Sequence, residues 1–120
     1  MINKAIFLLL ISLVLLPLHA LAVPLLGGWR PLRDVKDPHV IAVGEFSVSE
    51  YNKKSKSELK FVSVVSGESQ VVAGTNYRLI VAVNDGVEIT GGGESKNYEA
   101  IVWDRPWLKT MNLTSFKPSI

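Results

Sequence analysis

Two runs of strand-forming residues, joined by a short glycine-ended connection, do most to limit what this chain can fold into. The first covers residues 58–65, with Leu59, Phe61, Val62, Val64 and Val65. The second covers residues 75–83, with Tyr77, Leu79, Ile80, Val81 and Val83. β-Branched and aromatic side chains suit a pleated, half-buried surface. In the second run Tyr77, Leu79, Val81 and Val83 alternate with Arg78, Ile80, Ala82 and Asn84, as in an antiparallel strand with one packed and one wet face. In the first, simple alternation puts Leu59, Phe61, Ser63 and Val65 on one face. Between the runs lies Gln70-Val71-Val72-Ala73-Gly74, a five-residue connection suited to a hairpin. Gly74 can take positive φ without a Cβ clash and so close the turn. The content of this connection is unusual. Val71, Val72 and Ala73 are apolar, and apolar surface at an exposed tip implies a partner that covers it. The alternative is a strand end tucked into the core.

Upstream, Trp29 to Val35 reads as a short first strand, confined to an edge or made irregular by Pro31. Asp37-Pro38 is a helix start, because Asp caps and Pro suits the first helical position. The helix is expected from Pro38 to about Lys54, with Val40, Val43, Gly44, Ser47 and Tyr51 at helical spacing, although Phe46 and Val48 alternate with Glu45, Ser47 and Ser49 as in a strand and Val40, Ile41, Val43 and Gly44 are weak helix formers. The segment Asn52 to Ser57 is a solvated stop. Downstream, Asn84-Asp85-Gly86 signals a turn. Gly91-Gly92-Gly93 lacks the following Lys-Ser/Thr and helix of a phosphate loop and reads as a flexible connection. A fourth strand is expected over Asn97–Asp104, with Tyr98, Ala100 and Val102 on one face and Ile101 and Trp103 on the other. A turn at Arg105-Pro106-Trp107 leads to a fifth strand over Leu108–Phe116. One helix across an antiparallel sheet of about five strands is a two-layer α+β architecture.

Residues 1–22 have the pattern of a secretory leader: Lys4, an apolar run from Ile6 to Leu16, and Ala20-Leu21-Ala22 at the expected cut. The apolar run falls short of the roughly 20 residues of a membrane-spanning helix. Residues 23–120 then form a single domain that is secreted, to the cell exterior or a vacuole, with no membrane segment in its mature form. The sequence contains no Cys, so packing alone must hold the core of this small domain. Without Lys4, 12 basic residues face 11 acidic ones. This near-neutral balance argues against nucleic-acid binding, which needs a basic face. Asn112-Leu113-Thr114 is an N-glycosylation sequon at Asn112.

The chain resembles the cystatins, inhibitors of papain-like cysteine proteases. Gln70 to Gly74 matches their Q-x-V-x-G loop, Gly27-Gly28 their N-terminal glycine element, and Pro106-Trp107 their second turn. The segment Val43 to Asn52 is similar to the helix signature of the plant branch, the phytocystatins. The absence of Cys agrees with that branch. The resemblance covers about residues 27–117. It implies a sheet wrapped around one long helix, a monomer, and no cofactor. It also implies a protease-binding edge made of Gly27, Gly28, Gln70, Val71, Val72, Ala73, Gly74, Pro106 and Trp107. The strand order supports such an edge, since the turns after the second and fourth strands of a meander fall at the same end.

Catalysis has little to rest on. After the leader, His39 is the only histidine, expected as an exposed helix-start residue. The acids show no pairing, no metal-ligand spacing occurs, and no base stands near the serines. The competing reading is a secreted module of the same fold that binds a peptide or small ligand and has no protease target. It has no need for all three marks at one edge.

Overall fold

The computed structural model describes residues 28–85 and 95–120. The expected leader, Gly27 and the Gly91-Gly92-Gly93 connection lie outside the described residues. The elements in order are strand β1 (Arg30–Pro31), helix α1 (Pro38–Ser55), β2 (Lys60–Val72), β3 (Gly74–Asn84), β4 (Lys96–Arg105), a 3-10 turn (Pro106–Leu108) and β5 (Thr110–Pro118). The strands form one sheet in the order β1-β2-β3-β4-β5, each pair antiparallel.

The ends of α1 are set by local chemistry. The Asp37 carboxylate accepts the His39 backbone N–H at 2.8 Å, and Pro38 occupies the first turn. Lys53 and Lys54 stand in the last turn, where positive charge suits the helix dipole. Lys56 then takes a left-handed conformation, φ 55°, and its N–H returns to the Asn52 carbonyl. The Asn52 side chain also accepts from Leu59 N–H at 3.0 Å and donates to Leu59 C=O at 2.8 Å. These bonds aim the chain back into β2.

The helix buries Val40, Val43, Gly44, Ser47 and Val48 against the sheet. This is the expected face, with Val48 added and Tyr51 only half-buried. Tyr51 instead stacks on Phe116 at 4.3 Å between ring centroids, and Phe116 stacks on Tyr98 at 4.9 Å. The Ser47 hydroxyl donates to Gly44 C=O at 2.6 Å, so its burial leaves no donor unpaired. At Gly44 the helix lies close against β2. A Cβ there meets Phe61 Cε1 and Val64 Cγ2, both at 2.9 Å.

Leu79, Val81 and Val83 of β3 and Ala100 and Val102 of β4 are fully buried, on the faces that alternation assigns. The expected face of β2 needs correction. Register shifts fall between Phe61 and Ser63 and between Val64 and Ser66. Each inserts an extra residue, bends the strand and flips its phase. Phe61, Val64 and Gly67 therefore pair with Val83, Val81 and Leu79. Val65, expected inside, is 50% exposed, while Val64 is buried. Two bulges in one strand give the sheet the curvature to wrap α1. β1 is shorter than expected, with only Leu32 N–H to Gly67 C=O extending its pairing. Pro31 contributes no donor. The Asp34 carboxylate accepts Lys36 N–H at 2.9 Å and bends the chain toward the helix. β5 starts at Thr110 rather than Leu108, because Pro106–Leu108 form the 3-10 turn.

Candidate protease-facing edge

The β2–β3 ladder continues much further than a five-residue loop allows. Gln70 pairs with Asn76, Val71 with Thr75 and Val72 with Gly74, so only Ala73 lies between the strands. Gly74 has φ 89°, a conformation that glycine adopts at little cost and residues with a Cβ do not. The tip is not tucked into the core. Val71 is 58% exposed and Val72 36%.

The second turn is built by Pro106 at the start of the 3-10 segment and by Lys109, φ 52°, whose N–H donates to Pro106 C=O at 3.0 Å. Trp107 is 61% exposed and Leu108 is 52% exposed. Trp107 is thus a surface residue and not a core aromatic at a corner. Leu108 is an apolar neighbour that pattern reading had assigned to a strand.

Register brings the two turns together. Thr75, just after the first tip, pairs with Asp104, just before the second turn. The antiparallel β1–β2 pairing sets Arg30 opposite Ser69 and Pro31 opposite Glu68. Continued backwards, it carries Gly28 level with Val71, at the same end. Gly28 is exposed. Trp29 beside it lies under the Arg78 guanidinium, 4.4 Å from the ring centroid, and Arg78 is held in turn by Glu68 at 2.7 Å. Gly27 lies outside the described residues. Asn112 is exposed on β5, and its Oδ1 accepts from Arg105 Nη2 at 2.9 Å.

Two long-range contacts, Trp103 with Ala73 and His39 with Asp104, were not foreseen from the sequence. Trp103 Nε1 donates to the Ala73 carbonyl at 2.7 Å, and the Arg105 guanidinium lies 3.9 Å from the Trp103 ring centroid. Alternation put Trp103 on the outer face of β4. The one hint was that an indole N–H seeks an acceptor. His39 is exposed at the start of the helix, as expected, and its Nε2 lies 2.7 Å from Asp104 Oδ2. Asp104 is buried, and Tyr77 packs edge-on against His39 at 6.0 Å. Burial, then the charges of Asp104 and Asp37, push the Tyr77 phenol above its ordinary pKa of 10.0. Among the described residues no group of three or more His, Asp or Glu could hold a metal ion.

A paired strand tip, an adjoining tryptophan turn and a glycine-led entry strand, carried by a sheet curved around one helix, define a cystatin-type protein. A protein-family model described as "Aspartic acid proteinase inhibitor" (SQAPI) matches residues 32–119. The chain is similar to Cysteine proteinase inhibitor 5 of Arabidopsis thaliana, 62% identical over 99% of this chain and 95% of that one. It is 50% identical to Cysteine proteinase inhibitor 1 of Actinidia chinensis var. chinensis, over 76% of this chain and 73% of that one. Among solved structures, the salivary cystatin of the soft tick Ornithodoros moubata matches with a TM-score of 0.65 at 22% identity, over 78% of this chain and 98% of that one. The chain belongs to the plant cysteine proteinase inhibitors, the phytocystatins, within the family that the SQAPI model describes, and its fold is the cystatin fold. The family is one of inhibitors, not enzymes.

Proposed function

We propose that this chain is a reversible, competitive inhibitor of papain-like cysteine proteases that fills the substrate cleft with one edge and makes no covalent bond. The observation that carries the reading is the side-by-side placement of two apolar turns at one end of the sheet, with Val71 58% and Trp107 61% exposed. Gly27 and Gly28 lie along one side of the cleft, where a backbone without side chains approaches closely and fills no specificity pocket. Gln70, Val71, Val72, Ala73 and Gly74 enter the centre, and the valines desolvate the walls. Pro106 stiffens the second turn, and Trp107 packs on the far side. A preformed edge loses little freedom on docking, which favours tight binding over an interface of about 1,600 Å². The mature chain, residues 23–120, is secreted and acts as a monomer.

Titrating papain with the mature chain tests the proposal, and full protease activity at micromolar inhibitor rejects it. Trp107→Ala is expected to cost about 2 kcal/mol or more of binding, roughly 30-fold in the inhibition constant. Because its side chain is mostly exposed, the thermal midpoint should change little. The description of the matching family model favours one second reading, inhibition of an aspartic protease. Pepsin titrated alongside papain separates the two. The 62% identical relative is named a cysteine proteinase inhibitor, which supports testing papain first.

A further inference from the structure

We propose that Trp103 is a positioning residue for the protease-facing edge. Its indole N–H holds the tip of the β2–β3 hairpin, and Arg105 holds the indole, so the two turns behave as one rigid piece. This rests on the inhibitor reading for its effect on binding, but the rigidity itself is a property of the free protein.

Ala73 is the one residue between β2 and β3 outside the ladder. Its carbonyl therefore has no strand partner and would otherwise depend on solvent. Trp103 Nε1 takes it at 2.7 Å, across 30 residues of sequence. Trp103 sits on β4 between Asn76 of β3 and Asn112 of β5 in register. The bond thus ties the tip to a strand that is paired on both sides at that position.

Arg105 is the residue immediately before the Pro106–Leu108 turn. Its guanidinium lies over the Trp103 ring at 3.9 Å, and Nη2 donates to Asn112 Oδ1 at 2.9 Å. Its Nε is buried without a hydrogen-bond partner. The guanidinium is held where the stack wants it, at the expense of one donor. Ala73, Trp103, Arg105 and Asn112 form a continuous line from the first tip to the base of the second turn. Gly74 completes the seam, because its backbone lies directly against the Asp104 carbonyl. An edge that is ordered before docking loses less conformational freedom when it binds.

The test compares wild type with Trp103→Phe, which keeps a ring under Arg105 and removes only the N–H. Arg105→Lys keeps the charge and removes the planar stack. Amide hydrogen exchange on the free protein, read by NMR, is expected to speed up at Ala73 and Gly74 in both variants, while Leu79, Val81 and Val102 exchange as in wild type. Inhibition of papain is expected to weaken roughly 3–10-fold in Trp103→Phe, the range one ordinary hydrogen bond supports. Unchanged exchange at the tip in both variants overturns the proposal, whatever happens to inhibition. So does uniformly faster exchange with a lowered thermal midpoint in both, which makes Trp103 merely structural. If wild type leaves papain active, the inhibitor reading fails, and the exchange comparison still decides whether Trp103 and Arg105 order the tip.

Discussion

Gly74→Ala perturbs the edge at the point where the structure is least forgiving. Gly74 has φ 89°, where an ordinary residue carries a backbone strain of about 1–3 kcal/mol. The added Cβ also collides with the Asp104 carbonyl oxygen and comes within 3.2 Å of Arg105 Cγ. The arginine carbon can give way, but the carbonyl cannot. Asp104 is fixed by pairing with Thr75 on one side and Met111 on the other, and its side chain is tied to His39. The tip must therefore lift off β4, with a further overpacking cost of about 1–3 kcal/mol. Taking the lower half of the two ranges, the substitution should destabilise the fold by about 2–4 kcal/mol, which at about 4–5 °C per kcal/mol for a domain of this size lowers the thermal midpoint by roughly 8–20 °C. Lifting the tip also strains the Trp103 bond to Ala73, so papain inhibition should weaken at temperatures where the variant is fully folded. The assay is thermal unfolding followed by circular dichroism, with inhibition measured well below the transition. Ala73→Ser, at an exposed neighbouring position, is the control and should unfold like wild type. A midpoint for Gly74→Ala within about 2 °C of wild type would refute both the φ argument and the contact with Asp104.

Gly44→Ala sets helix propensity, about 1 kcal/mol in favour, against overpacking on Phe61 and Val64, each 2.9 Å from the new carbon. Val64 is buried and cannot yield, so a net loss of about 1 kcal/mol is expected, read as a lower urea midpoint with an unchanged slope. His39→Ala strips the buried Asp104 carboxylate of its partner at 2.7 Å and should cost about 1–3 kcal/mol. In a double-mutant cycle, His39→Ala with Asp104→Ala should cost less than the sum of the two singles; strict additivity would deny the coupling. The Tyr77 phenol, whose pKa is raised by burial and by Asp104 and Asp37, stays neutral in the fold at pH values where the unfolded chain ionises. Its contribution to stability is whole below pH 10.0 and is lost as pH rises through the higher folded value. Tyr77→Phe should flatten this alkaline decline in thermal midpoint, and an unaltered slope would contradict the assignment.

Short-range chemistry made much of the molecule readable. Asp37 and Pro38 mark where α1 begins, and the lysines near its end mark where it stops, because caps and charges act within a turn of the chain. Tyr77 to Asn84 and Tyr98 to Val102 could be assigned to their faces since unbroken alternation leaves one choice. Gly74 announced a positive φ before any coordinates, because glycine takes that conformation without a Cβ clash. The two turns were legible as residues, and their common end followed from counting strands in a meander.

Register decided the rest. The bulges around Val62 and Val65 reverse the phase of β2, and nothing in residues 60–66 distinguishes Val64 from Val65 as the buried one. Whether Val71 and Val72 cap a core or face solvent was undecidable from pattern, as apolar residues at a strand end serve either purpose. His39 meets Asp104 across 65 residues and Trp103 meets Ala73 across 30. The first contact needs α1 seated across β4; the second needs β3 and β4 paired in one register, and sliding that pairing by a single residue would turn every side chain to the opposite face. The residue types proposed to meet a protease are therefore written in the chain, while their alignment into one edge is a property of how five strands line up around a helix.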